Sequence, residues 1–351
     1  MKRRRLLAAM SSFGLAPSLF SQESLGPARL GLCTFSCHQH WQAVHDRAPG
    51  TKFHDAASFF DYAQSLGADG VQTSIRPLDA ASARIIRRRL DDNERFYFEG
   101  ELRLPDQESD LGAFEKEVKL AHEAGATVAR AVLLGSRRYE TFKSLAEFQA
   151  FQARSEKRLA WAEPVLRRNQ LKMAVENHKD LLAGEFVTLL QKISSEWIGA
   201  LVDTGNNMAL LEEPHAVVEE LAPLALSTHF KDMAVQVSDD GLLLSEVVFG
   251  EGCLDLPRII ATLRKANPKI VFNIEMATRD ALHVPCLKDS YWVTFPERRA
   301  TMLEPALNRA RAHPPSHAVP KVAGLDITAR LALEEDNNRR CLTYARQHLL
   351  S

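Results

Sequence analysis

A closed (β/α)8 barrel with a C-terminal extension is the fold this sequence predicts, and three observations lead to it. Short apolar runs alternate strictly with longer segments of helical periodicity, which argues for parallel strands joined by crossover helices. Eight such units lie between residues 28 and 276, separated by Gly, Asn or Pro stops, and eight is the number that closes a barrel. The competing open, doubly wound sheet would carry a glycine-rich phosphate turn after its first strand, and "GLCTFSCHQH" holds no GxGxxG.

The first run, "ARLGLCTFS" (28–36), leads into "FHDAASFFDYAQSLG" (53–67), where Phe59, Tyr62, Ala63 and Leu66 recur at helical spacing and Gly67 suits a C-cap. "GVQTSI" (70–75) precedes the Arg-rich helix 79–93, and "RFYFEGEL" (95–102) precedes the helix 110–125. "TVARAVLL" (127–134) is followed by a long helix over 145–168, and "LKMAVENH" (171–178) by one over 184–194. "IGALVDTGN" (198–206) runs on to the helix 213–223. "LALSTHFKD" (224–232) reaches its helix, 256–266, only after an insertion, and "KIVFNIEM" (269–276) completes the set. The barrel is thus bounded at 28–280. The remaining residues, 281–351, comprise a Pro-rich stretch (313–325) and a terminal helix (327–350). They suit a clasp on the barrel or an interface element of a homo-oligomer more than a second domain.

Composition bounds the function. A chain of 351 residues, 45% of them hydrophobic, can bury the large core that such a barrel needs. Lys plus Arg (44) nearly cancels Asp plus Glu (45), so the basic face expected of a nucleic-acid-binding protein is not anticipated. Cys33, Cys37, Cys253, Cys286 and Cys341 form no CxxC pair and read as buried thiols, with Cys253 and Cys286 left open as a bridge. The opening "MKRRRLLAAMSSFGLAPSLF" places four positive charges before an uncharged, mildly apolar run. That run is too short for stable membrane insertion and fits the n- and h-regions of a signal peptide, with an amphipathic helix as the alternative. Its arginines followed by Leu-Leu resemble a twin-arginine export signal, although the preceding Ser/Thr and an A-x-A-like cleavage site are missing. Residues 1–27 are therefore read as an export segment and the protein as periplasmic, with a cytoplasmic location as the alternative.

Reactive residues of a (β/α)8 barrel sit where strands end, because the βα loops build its active face. Four consecutive strand ends carry metal-ligand types: Glu176 in "VENH", Asp203 in "VDTGN", His229 in "STHFKD" and Glu275 in "NIEM". Two near-equal steps separate the first three, and the longer third step is explained by the insertion 233–252. One acidic strand end is commonplace, but three carboxylates and an imidazole converging on one mouth would repel without a cation. Mostly oxygen ligands with one nitrogen suit Mn²⁺, Mg²⁺, Co²⁺ or Zn²⁺.

With these motifs and "GEGCLD" (250–255), the sequence resembles the xylose-isomerase-like barrels, the sugar isomerase/epimerase superfamily that includes endonuclease IV. The resemblance covers 28–280 in layout and implies that Glu176, Asp203, His229 and Glu275 bind one divalent metal. It also implies that Glu176 and Glu275 act as an acid/base pair on a small carbohydrate. The physics is compatible with those roles: a metal on an α-hydroxyketone polarises its carbonyl, and two glutamates on opposite faces can invert the adjacent carbon. His178 shares a strand face with Glu176, as Lys231 does with His229, and either could hold substrate hydroxyls. Asn206 could bind substrate or cap the following helix. Asp232 reads better as a partner of Lys231 or a turn cap than as a substrate contact. Glu251 could reach inward from a "GEG" lid or sit in a plain turn, and His38 and Trp41 could line the mouth, with core packing as the alternative for Trp41. Arg137 and Arg138 would suit an anionic substrate but read better as a solvated charge pair.

Three other functions compete with the epimerase reading. A nuclease would need further histidines, one of them where Asn206 stands, and a basic surplus. A dehydratase or lyase acting on inososes or 3-keto-glycosides would use the same metal and the same first proton abstraction. A non-catalytic sugar-binding protein would not need both glutamates.

Overall fold

The computed structural model describes residues 27–76 and 78–350, so residues 1–26 of the export segment read from the N-terminus lie outside the described residues. In chain order the elements are β1 (Arg29–Cys33), α1 (His38–His45), α2 (Ala56–Ser65), β2 (Gly70–Ser74), α3 (Ala80–Asp91) and β3 (Tyr97–Glu101). They continue with α4 (Leu111–Glu123), β4 (Val128–Ala131), the single turn α5 (Arg138–Thr141), α6 (Leu145–Arg168), β5 (Lys172–Glu176) and α7 (Ala183–Ile193). Then come β6 (Ile198–Asp203), α8 (Pro214–Leu221), β7 (Ala225–Phe230), β8 (Asp232–Ser238), β9 (Gly241–Val247), α9 (Leu256–Ala266) and β10 (Val271–Ile274). The chain ends in β11 (Leu282–Val284), α10 (Arg299–Ala312) and α11 (Ile327–Tyr344).

Eight parallel strands close the barrel in the order β1-β10-β7-β6-β5-β4-β3-β2, with β1 hydrogen-bonded to both β2 and β10. The helices form where the sequence supplies both a cap and an apolar stripe. In α2, the Asp55 side chain accepts from Ser58 N at 2.7 Å, and Phe59, Phe60, Tyr62 and Ala63 turn inward. In α9, Asp255 caps Arg258 N, and Leu256, Ile259, Ile260 and Leu263 bury one face against the strands. Each such side chain contributes about 1.5–3 kcal/mol by leaving water.

The insertion anticipated at 233–252 is a β-hairpin, β8 paired antiparallel with β9, and β11 adds a third strand to its edge. The tail is a clasp: Glu334 on α11 accepts from Gln39 N and His40 N, and Asn338 donates to Ser36 O. Helix α10 was not anticipated, since Pro305 interrupts its pattern; it packs across β8. The bridge left open between Cys253 and Cys286 is not formed, and all five cysteines are free. Cys286 is buried where β11 turns back along the hairpin, against Gly241. Arg138 corrects the solvated-pair reading, because it is 2% exposed, stacked between Phe148 and Phe295, and paired with Glu185 at 2.7 Å. No helix among the described residues is long and apolar enough to cross a membrane.

Candidate metal centre

Strand register brings the four ligand-type ends level. His229 on β7 pairs with Asp203 on β6 and with Asn273 on β10, while Glu176 closes β5 opposite Leu201. Glu275 directly follows β10 and extends the ladder, its N–H donating to Phe230 O at 3.0 Å. One ligand atom from each of Glu176, Asp203, His229 and Glu275 lies within 4.8 Å of the others. The cluster is nearly sealed: Glu275, its most exposed member, is 6% accessible.

The imidazole tests whether a cation fits. Gln72 donates its Nε2 to Glu99 at 2.8 Å, which fixes its amide so that Oε1 faces His229 Nε2 at 2.6 Å. A carbonyl oxygen only accepts, so His229 Nε2 carries the proton and Nδ1 points at the carboxylates. Nδ1 stands 3.2 Å from Glu275 Oε1, 3.6 Å from Glu176 Oε1 and 3.8 Å from Asp203 Oδ2, with no hydrogen bond to any. A nitrogen lone pair facing three carboxylate oxygens is repelled by all of them, so a cation must stand between them. Without a metal that cation is a proton: burial lowers the His229 pKa, but Glu275 and Glu176 outweigh it and raise it to about 10. Asp203 Oδ2 likewise makes no hydrogen bond, although Lys231 Nζ stands 2.8 Å away in ionic contact. Three oxygens and one nitrogen, two of these atoms orphaned, are a donor set able to coordinate a divalent ion. Cys33 Sγ lies near His229 and Glu275, and in the metal-free site burial and then Glu275 push its pKa well up.

Charged neighbours hold the two glutamates ionised. Arg130 Nε donates to Glu176 Oε2 at 2.6 Å, and Asn206 Nδ2 to Glu176 Oε1 at 2.9 Å. Burial pushes the Glu176 pKa up, yet Arg130 and His229 carry it well below the usual carboxylate value. Burial acts on Glu275 in the same way and is overcome by Lys231, which hydrogen-bonds it, and by His229. Asp203 goes the other way: burial dominates over Lys231 and raises its pKa to about 6. Its Oδ1 accepts from Gly205 N and Asn206 N, which fixes the turn after β6.

The structure brings some of the sequence-selected residues together and leaves others apart. Lys231 and Asn206 contact the cluster directly, and Asn206 holds Glu176 rather than capping a helix. His178 is half-buried beside it; its Nδ1 donates to Leu134 O, and burial lowers its pKa to about 4, so it is neutral. Glu251 turns outward to Arg340 on α11, because Asp232 draws in the backbone on both sides by accepting from Gly250 N and Gly252 N. Trp41 packs edge-on against Phe53 and Phe59 in the core under α1, and His38 turns to the Phe35 carbonyl and Gln39. Four contributors were not selected: Gln72, Arg130, Lys179 and Glu246. A charged or amide side chain inside an apolar strand, as in "TVARAVLL" and "GVQTSI", is the signal that could have found the first two.

With this geometry in hand, comparison places the chain among known proteins. The chain is similar, at 27% identity over 103 residues, to the 3-oxo-isoapionate decarboxylase of Pectobacterium atrosepticum, covering 29% of this chain and 38% of that protein. It is 29% identical over 130 residues to a putative L-ribulose-5-phosphate 3-epimerase of Escherichia coli, covering 35% of this chain and 44% of that protein. The chain therefore spans less than half the length of these curated relatives. Among solved structures, a D-psicose 3-epimerase determined with D-fructose superposes with a TM-score of 0.58 at 13% identity, over 92% of this chain and all of the other. A probable 3-DHS dehydratase from Bacillus anthracis gives 0.53 at 16% identity, over 70% of this chain and 91% of the other. At these identities the structural likeness speaks for the fold alone. The profile of the family described as xylose isomerase-like TIM barrel matches residues 60–298, more than half of the sequence, and the chain belongs to that family.

Proposed function

We propose that this protein is a divalent-metal-dependent enzyme that removes a proton next to the carbonyl of a small carbohydrate, with isomerisation or epimerisation as the outcome. The observation that carries the reading is His229 Nδ1, turned toward three buried carboxylates. Glu176, Asp203, His229 and Glu275 would hold the ion, which supplies polarisation of the carbonyl and stabilises charge growing on its oxygen. Glu176 and Glu275 stand on strands three units apart in sequence and reach the centre from different sides, as a base and an acid on opposite substrate faces require. Asn206 and Arg130 fix both oxygens of Glu176, so its position is set before substrate arrives. Lys231, hydrogen-bonded to Glu275, is placed to stabilise oxyanion charge on the other side. His178, neutral and half-buried, orients hydroxyls.

The dehydratase and the decarboxylase among the similar proteins favour a second reading: the carbanion left by proton removal expels hydroxide from the adjacent carbon, or the carbanion is formed by loss of CO₂ in place of the proton and is then protonated. The same residues serve both. If the N-terminal segment exports the protein, free or glycosidic sugars are the accessible substrates.

The test is carbon-bound deuterium uptake by NMR. Manganese-loaded protein in D₂O, offered ketoses, inososes, 3-keto-glycosides and keto sugar acids, is expected to label at least one. Glu176→Gln with full metal content is expected to lose at least ~10³-fold in that rate, since a positioned acid or base contributes 10²–10⁴-fold. Full exchange by the metal-replete variant would remove Glu176 from the chemistry.

A further inference from the structure

Lys179 is a buried cation with no carboxylate within ion-pair distance, although Asp203 and Glu246 act on its charge from farther off. It is 8% exposed, its Nζ donates to the neutral amide oxygen of Asn206, and it makes no ion pair among the described residues. The same oxygen accepts from Lys231 Nζ at 3.3 Å, so two ammonium groups crowd one acceptor. Asn206 cannot turn away, because its Nδ2 is committed to Glu176. The other cations of this layer are paired: Lys231 with Asp203 and Glu275, Arg130 with Glu176 and Glu101, Arg279 with Glu246 at 2.6 Å. A buried ammonium without a counter-ion is among the costlier features a fold can retain.

The backbone is committed to this placement. Lys179 has φ of 60°, in the left-handed region that a long side chain seldom adopts, and its carbonyl is pinned by Arg138 N at 3.0 Å. Strain and an unpaired charge at one residue, beside a reactive centre, point to a ligand that compensates both.

We propose that Lys179, with Lys231 beside it, binds the carboxylate of the substrate, so that this protein acts on keto sugar acids in preference to neutral ketoses. The inference rests on the metal-centred reading above and narrows its substrate class. Glu101, Glu176, Asp203, Glu246 and Glu275 are the ion-paired carboxylates around the cations Arg130, Lys231 and Arg279, and Asp180, buried next to Lys179 in sequence, is a further carboxyl. Glu99 lies in the adjoining barrel layer on the neutral donors Gln72, Ser227 and Asn273. A divalent ion adds two positive charges beside these lysines, and two ammonium groups that share one neutral acceptor offer an incoming carboxylate a donor for each oxygen. Asp203 and Glu275 are shared between Lys231 and the ligand set, so drawing them to an ion frees Lys231 to join Lys179 on the incoming anion.

Calorimetry on the manganese-loaded full chain tests this with 2-keto-D-gluconate and D-fructuronate, each of which is D-fructose with one terminal carbon oxidised to a carboxylate, and with D-fructose 6-phosphate. At least one sugar acid is expected to bind about tenfold or more tighter than D-fructose, the scale of a charge-assisted hydrogen bond, and tighter than the phosphate. Lys179→Met is expected to bring the ratio of sugar-acid to D-fructose affinity down to about one at one manganese per chain, and to raise the melting temperature. Lys179→Arg should keep part of the preference. Equal binding of acid and ketose, a preference that survives Lys179→Met, or tighter binding of the phosphate would overturn the proposal. Deuterium exchange on neutral ketoses without any carboxylate preference sinks only this inference. Carboxylate preference without exchange on any sugar sinks the enediolate chemistry and leaves this one standing.

Discussion

Two buried imidazoles meet carboxylates in opposite ways, His40 on Glu334 under the C-terminal clasp and His229 among Glu176, Asp203 and Glu275 at the barrel mouth. Glu334 is fully buried and meets only donors: Gln39 N at 2.7 Å on one oxygen, His40 N at 3.0 Å and His40 Nδ1 at 2.8 Å on the other. These backbone groups begin α1, where N–H groups lack intrahelical partners and the helix dipole favours an anion, so the carboxylate is a tertiary cap. His229 meets three acceptors, with its free nitrogen hydrogen-bonded to none of them. Both contacts are dry and both join distant segments. His40 Nε2 has no hydrogen-bond partner among the described residues, but the Glu334 carboxylate is met by donors on both oxygens and needs no cation; the His229 nitrogen, met only by carboxylates, does.

The largest effect should come from supplying or withholding that cation. In the metal-free protein the folded-state pKa of His229 is about 10, raised by Glu275 and Glu176 against burial, above its ordinary 6.5. A raised pKa means the folded state holds the proton more tightly. Its contribution is complete below pH 6.5 and drains away as pH rises through about 10. Urea midpoints of chelator-treated protein should therefore fall from pH 6.5 upward. Saturating Mn²⁺ should flatten that decline by taking the proton's place and add about 4 kcal/mol at a thousandfold excess over Kd. A metal-free protein indifferent to pH across this window, or an ion that adds no stability, would erase the contrast with Glu334.

The clasp should respond to mutation and not to metal. Glu334→Ala leaves two backbone N–H groups and a ring N–H buried without acceptors, a loss of about 3 kcal/mol. One ion per chain should still be found by elemental analysis, and deuterium exchange per folded molecule should be unchanged. If this variant lost its metal, the two networks would be coupled through β1 and the separation drawn here would fail.

The same contrast explains what the sequence disclosed. Eight strands and the four ligand-type ends were legible because strand length, helix period and turn residues are local, and barrel topology turns strand ends into neighbours. The partners that set their charge were not. Gln72, Arg130 and Glu246 act across the barrel or from the hairpin, and nothing local says which way a mid-strand amide or guanidinium points. Lys179 lay inside the most suggestive motif, "VENHKD", yet only the left-handed turn at that residue sends its side chain inward beside Asn206. Glu334 sits in "LEEDNN", whose polar face reads as solvated until α11 is seen to lay Glu334, Asn337 and Asn338 against the barrel.

The smallest effect is expected where sequence reasoning aimed a residue at the wrong side. Glu251, within "GEG", suits an inward-reaching lid only if its turn is free to choose a face. Asp232 removes that choice. It accepts from Met233 N, Gly250 N, Gly252 N and Leu254 N, and a Cβ on Gly252 would meet Asp232 Oδ1 at 2.1 Å, so the backbone itself is packed against the carboxylate. Glu251 is left to pair with Arg340 on the clasp, both side chains partly exposed. Such a pair contributes about 0–1 kcal/mol. Glu251→Ala should accordingly shift the urea midpoint barely, weaken metal not at all and leave deuterium exchange within about twofold of the parent, as surface substitutions do. A tenfold loss of exchange with intact metal content would instead show that the turn swings inward when substrate binds, and would move Glu251 from the clasp to the mouth.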